Sequence, residues 1–177
     1  MIISKCFASA ERSGIQKVQT IDKDLFLNMN IRKATTADFD QIWEITKQVI
    51  AECESLVFAP DSSKEKMLAF WCTAKKHVYV VEINDKVVGT FFLCDNQPDM
   101  GSHVANGGYM TLPSAGGQGI GYKMGEYSIQ EAKRLGYKSI QFNIVLKSNE
   151  HAVRLWEKLG FKIVGELPEV FDHPKRG

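Results

Sequence analysis

Apolar positions first recur at helical spacing at Phe39, Ile42, Trp43, Ile45 and Val49, directly after Thr35-Thr36-Ala37-Asp38, whose threonine and following acid suit a helix start. The pattern predicts an amphipathic helix. After a loop around Pro60, Asp61-Ser62-Ser63 opens a second helix with Met67, Leu68, Phe70 and Trp71 on its apolar side. Residues 78–83 and 87–93 then become rich in β-branched and aromatic side chains, and Asn84-Asp85 between them is a tight-turn signal. They read as an antiparallel hairpin. Beyond the polar loop 95–102, a strand is expected over residues 104–112, ending at Pro113. A glycine-rich loop follows, then a helix over 121–135 closed by Gly136 and a strand over 139–146. Asn149 caps a last helix with Ala152, Val153, Leu155, Trp156 and Leu159 facing inward, and Gly160 ends it before a strand over 161–164. Strand, loop, helix, strand is a βαβ unit, so the fold class is α/β.

Residues 1–28 carry no sustained periodicity, whereas Met29-Asn30-Ile31-Arg32 begins a strand-like segment. The domain is therefore expected over 29–177, with 1–28 an N-terminal extension without assigned function. The 177 residues, 44% hydrophobic and 24% charged, suit one globular domain with a packed core. A formal net charge of +1 provides no basic field for a phosphate backbone, which argues against nucleic-acid binding. Cys6, Cys53, Cys72 and Cys94 are scattered, with no C-x-x-C pair and no histidine at zinc-ligand spacing, so free thiols and no metal site are expected. No apolar run approaches the roughly 20 residues that span a bilayer. Lys5 also interrupts the short apolar start, which argues against a signal peptide. These readings point to a cytoplasmic protein.

The chemistry is concentrated in Ser114-Ala115-Gly116-Gly117-Gln118-Gly119-Ile120-Gly121-Tyr122, which joins a strand to a helix. Backbone amides converge there at the positive end of the helix dipole, and glycine lets an oxyanion approach the main chain. The expected ligand is a pyrophosphate. A nucleoside-triphosphate loop would need Lys and then Ser or Thr directly after Gly121, where Tyr122 and Lys123 stand. A dinucleotide fingerprint G-x-G-x-x-G also fails, because Gly117 and Gly119 lead to Tyr122, and Gly119 and Gly121 to Met124.

This loop and the block Asn149-Glu150-His151-Ala152-Val153-Arg154-Leu155-Trp156-Glu157-Lys158-Leu159-Gly160-Phe161 together resemble the GCN5-related N-acetyltransferase (GNAT) superfamily. The loop is similar to its Arg/Gln-x-x-Gly-x-Gly/Ala motif, with Gly116 where Arg or Gln is usual. The block is similar to Asn-x-x-Ala-x-x-hydrophobic-aromatic-Glu-Lys-x-Gly-Phe. The resemblance implies a mixed, mostly antiparallel, splayed central sheet flanked by helices. It implies acetyl-CoA as cosubstrate, held by Tyr109, Met110, Thr111, Gly116, Gly117, Gln118, Gly119, Ile120, Gly121, Tyr122 and Asn149. Trp156 occupies the place where many relatives carry a tyrosine that protonates the thiolate, so it is read as a packing residue. Asn149 is read equally as a helix cap and a coenzyme contact.

The implied reaction moves an acetyl group to a primary amine of a small molecule by direct attack in a ternary complex. The alternatives are a protein N-terminal or lysine acetyltransferase and a non-catalytic acyl-CoA sensor. Candidates for taking the amine's proton are His103, Glu82 and His173, and Asn143 is a candidate for orienting the acceptor. The tail Leu167-Pro168-Glu169-Val170-Phe171-Asp172-His173-Pro174 resembles a loop that precedes a last strand in one branch of the superfamily. No such strand follows, so the seventh is expected to be missing or supplied by a second copy in a homodimer.

Overall fold

The computed structural model describes residues 1–7 and 28–174. Seven strands form one sheet: β1 (Ile2–Cys6), β2 (Met29–Lys33), β3 (His77–Ile83), β4 (Lys86–Asp95), β5 (Val104–Thr111), β6 (Ser139–Phe142) and β7 (Lys162–Gly165). Their spatial order is β2-β3-β4-β5-β6-β1-β7. All neighbours are antiparallel except β5 and β6. The helices are α1 (Phe39–Glu52), α2 (Lys64–Trp71), α3 (Ile120–Arg134) and α4 (Glu150–Lys158).

Alternation along the strands divides the core in two. Val78 and Val80 turn to one face, where Ile42, Ile45 and Val49 of α1 and Trp71 of α2 cover them. Tyr79 and Val81 turn to the other, against Ile120, Met124 and Ala132 of α3 and Trp156 of α4. The hairpin turn forms as its residue types suggest. Asn84 and Asp85 sit at φ 50° and 61°, which two-residue turns matching the strand twist require.

Two expectations are corrected. The seventh strand is present, and it comes from the beginning of the chain: β1 lies between β6 and β7, with Ile3 opposite both Phe142 and Ile163. Ile3 is only 2% exposed. The sheet therefore takes in Ile2–Cys6, which the sequence reading set outside the domain. The ground for a partner-supplied strand disappears with it. The rest of that upstream stretch, residues 8–27, lies outside the described residues. Second, the strand expected over 139–146 stops at Phe142, because the main chain beyond it is diverted: Val145 N donates to Met1 O at 2.9 Å.

One charged cluster ties the start of α1 to the sheet. Asp38 accepts from Thr35 N at 2.7 Å and from both terminal nitrogens of Arg32, at 2.7 and 2.9 Å, and Arg32 also pairs with Glu82. The Arg32 guanidinium holds the buried Asp38 carboxyl down at about 2. A depressed folded-state value stabilises above the unfolded carboxylate's ordinary value and is lost as pH falls through about 2. Asp38→Asn should therefore cost on the order of 1–3 kcal/mol at neutral pH. In chemical denaturation the gap to wild type should close below pH ~4, the ordinary carboxylate range. A gap that stays constant across that range would exclude the ion pair as its cause.

Candidate active site

β5 is paired with β4 along its whole length, from Ala105 opposite Asp95 to Thr111 opposite Gly89. On its other side the pairing with β6 consists of Val104 with Ser139 and Ala105 with Ile140. Beyond Ala105 the two strands part, and a cleft of about 510 Å³ opens between them.

Strand geometry determines which backbone groups face this cleft. Leu112 N donates to Val88 O and Val104 O accepts from Asn96 N, so the even-numbered residues of β5 direct N–H and C=O toward β4. His103 O accepts from Lys138 N, so the odd-numbered ones point toward β6. Tyr109 and Thr111 therefore present their main-chain groups to the cleft. Met110 lines it too, while its own main-chain groups face Thr90 of β4.

The glycine-rich loop lies at the open end of this cleft. Residues Pro113–Ala115 make one 3-10 turn, and Gly119 is the N-cap of α3 at φ 78°. Gly117 also has positive φ, 76°. Ala115 N and Gly116 N are used inside the turn, and the first amide to close a helical bond is Lys123 N, which donates to Gly119 O. The six amides of residues 117–122 donate to no group among the described residues. Two left-handed glycines and free amides at a helix start are the features on which anion cradles are built.

The two helices framing the cradle approach closely because glycines face the contact. A Cβ on Gly121 would lie 3.4 Å from Leu155, and one on Gly125 would lie 2.4 Å from Leu159. Trp156 is 6% exposed, with its ring 4.7 Å from that of Tyr109 and 4.5 Å from that of Phe142, as expected of a packing residue, yet it also lines the cleft. Asn149 Oδ1 accepts from Ala152 N at 3.1 Å, which is the cap. Its Nδ2 donates to Glu54 O at 3.2 Å, so the same side chain joins the start of α4 to the end of α1.

None of the four proton-transfer and orienting candidates lines this cleft. Glu82 is engaged by Arg32 and Asn30 at the β2–β3 edge. His103 is exposed at the end where β5 and β6 are still paired. Asn143 donates to Asn96 Oδ1 and accepts from Gln141. His173 is buried, 3.4 Å from Glu54 Oε1, beside the cleft. The ionisable side chains that do line it are Glu52, His151, Tyr109 and Tyr122. Glu52 is the last residue of α1 and His151 the second of α4, so the Asn149 link brings them to one mouth. His151 stood inside the quoted motif at a variable position, and Glu52 carried no local signal.

Burial pushes the Tyr109 hydroxyl well above its ordinary range, and it donates to Ser128 Oγ at 2.8 Å. All four cysteines are free, and burial pushes the Cys72 thiol up to about 11. No cysteine lines the cleft. Among the described residues there is no cluster of three or more His, Cys, Asp or Glu able to hold a metal ion, and no helix long and apolar enough to cross a membrane.

The family model described as Acetyltransferase (GNAT) family matches residues 41–161. The chain belongs to this family. Its fold superposes on those of solved GCN5-related N-acetyltransferases. A GCN5-related N-acetyltransferase from Kribbella flavida superposes with a TM-score of 0.80 at 32% identity, covering 85% of this chain and 92% of that one. A second, yncA of Salmonella typhimurium, solved with its cofactor acetyl-CoA, gives 0.73 at 26% identity, covering 82% and 86%. Among curated proteins, N-acetyltransferase aca1 of Schizosaccharomyces pombe is 35% identical over 89 residues, 50% of this chain and 43% of that protein. Protein SPT10 of Saccharomyces cerevisiae is 33% identical over 82 residues, 46% of this chain and 13% of that protein. The matches thus span less than half of either curated relative.

Proposed function

We propose that this GNAT acetyltransferase moves the acetyl group of acetyl-CoA to a primary amine of a small molecule. The observation that carries the reading is the six unengaged amides of residues 117–122 at the start of α3, beside two parted strands. The diphosphate occupies the cradle. The pantetheine arm runs along β5, exchanging hydrogen bonds with Tyr109 and Thr111. Acetyl-CoA in the yncA structure supports the choice of donor.

In the transfer, the neutral amine nitrogen attacks the thioester carbonyl carbon, and a cleft-facing N–H of β5 stabilises the oxyanion. The C–S bond then breaks, the thiolate takes up a proton and the nitrogen gives one up. Glu52 and His151 are the ionisable groups at the acceptor side of the mouth, and one of them receives the amine's proton, directly or through water. The cysteines play no covalent part, which accords with direct attack.

The test is release of free thiol from acetyl-CoA across a panel of small amines, with peptides bearing a free N-terminus or a lysine as separate arms. Turnover on small amines is expected. Turnover confined to peptides would move the acceptor to the protein class, and coenzyme binding without turnover on any amine would favour a sensor.

A further inference from the structure

The cradle is built of neutral amides, and residues 116–122 contain no lysine or arginine of their own. A coenzyme with a diphosphate and a ribose 3′-phosphate carries several negative charges to this spot, so a nearby unpaired cation would add to its hold. Of the cations on α3 and α4, those nearest in sequence to the cradle and to the packing contacts at Leu155 and Leu159 are Lys123, Arg154 and Lys158. Lys123 is 3.0 Å from Glu126, and Arg154 is 3.1 Å from Glu150. Lys158, the last residue of α4, makes no ion pair among the described residues. Its ammonium lies 5.3 Å from the centre of the Tyr122 ring. Tyr122 is the residue whose amide closes the cradle, and it lines the cleft.

The position of Lys158 follows from the helix packing. Gly121 and Gly125 let Leu155 and Leu159 settle against the first turns of α3, and Lys158, three residues after Leu155, stands beside that contact. The tyrosine ring then steers the flexible lysine stem toward the loop, since an ammonium is drawn to an aromatic face.

We infer that Lys158 is a coenzyme-binding residue, its ammonium pairing with a phosphate of the bound acyl-CoA at the cradle's rim. This rests on the coenzyme reading above and adds to it a charged contact outside the loop. The phosphate is either the diphosphate or the ribose 3′-phosphate, and the two are separable because 3′-dephospho-CoA lacks the second. Lys158 is exposed, so its replacement leaves the core untouched.

The experiment is calorimetric titration of wild type, Lys158→Ala and Lys158→Arg with CoA and with 3′-dephospho-CoA, at low and moderate salt. Lys158→Ala should weaken CoA binding roughly tenfold at low salt, with a smaller loss at higher salt and most of the affinity kept by Lys158→Arg. An equal loss with both ligands assigns the contact to the diphosphate, and a loss confined to CoA assigns it to the 3′-phosphate. Either result supports the inference. A Lys158→Ala protein that melts like wild type and binds both ligands as wild type does would overturn it. If wild type itself bound neither ligand, the coenzyme reading would fall first and this assignment with it.

Discussion

Gly119→Val should lower affinity for acetyl-CoA by roughly 100-fold or more, the loss of two charge-assisted hydrogen bonds at about 1.5–3 kcal/mol each. Gly119 holds φ 78° at the N-cap of α3. A β-branched residue cannot keep that conformation without strain on the order of 1–3 kcal/mol, so the amides on either side rotate away from their common point. With the diphosphate in the cradle, an added side chain would also compete with the oxyanion for the space that glycine leaves at the main chain. A loss of stability could imitate a loss of binding, so Gly119→Asn serves beside it, because asparagine tolerates the left-handed region. Gly119→Asn should fold normally and still bind poorly in calorimetry. A folded Gly119 variant with unchanged affinity would remove the loop from the account.

Ile3→Ala should destabilise the protein by about 2–4 kcal/mol, the range for cutting a buried isoleucine to alanine. Ile3 is the one buried residue of β1 and belongs to the larger core with Phe142 and Phe161. For a chain of this size that corresponds to a fall of roughly 5–15 °C in melting temperature. The effect should reach the site, since Met1, next to β1, accepts the Val145 amide and Val145 forms part of the cleft wall. Ile2→Ala, at a half-buried position, should cost much less. If Ile3→Ala melted as wild type does, β1 would be dispensable and its place inside the sheet would be wrong.

The parts legible beforehand were those whose cause is local. Asn84-Asp85 announces a turn because those two residue types tolerate positive φ. Phe39, Ile42 and Val49 announce a helix because one face must be apolar. The cradle was legible for the same reason, since glycines between a strand and a helix have few other uses. β1 was not, because five residues that alternate weakly look like any short terminal segment until β6 and β7 are seen on either side. The end of β6 was misjudged because the apolar run Ile144-Val145-Leu146 continues past Phe142 and serves the cleft wall instead.

The acceptor side was the least legible. Glu52 reads as a solvated helix end, and the hydrogen bonds that Ser148 and Asn149 donate to Glu54, across 94 and 95 positions of sequence, bring the end of α1 to the start of α4, where His151 stands. His103, Glu82, His173 and Asn143 suit the roles by residue type and by nearness to strand ends. The side-chain partners that Glu82, His173 and Asn143 meet are tertiary facts, as is the register that leaves His103 at the closed end of β5.

A crystal structure of the protein with acetyl-CoA tests the central claim most directly. The account predicts diphosphate oxygens about 2.7–3.2 Å from amides of residues 117–122, with the pantetheine arm bonded to the main chain of Tyr109 and Thr111. A diphosphate bound elsewhere on the surface, with the gap between β5 and β6 empty, would contradict it.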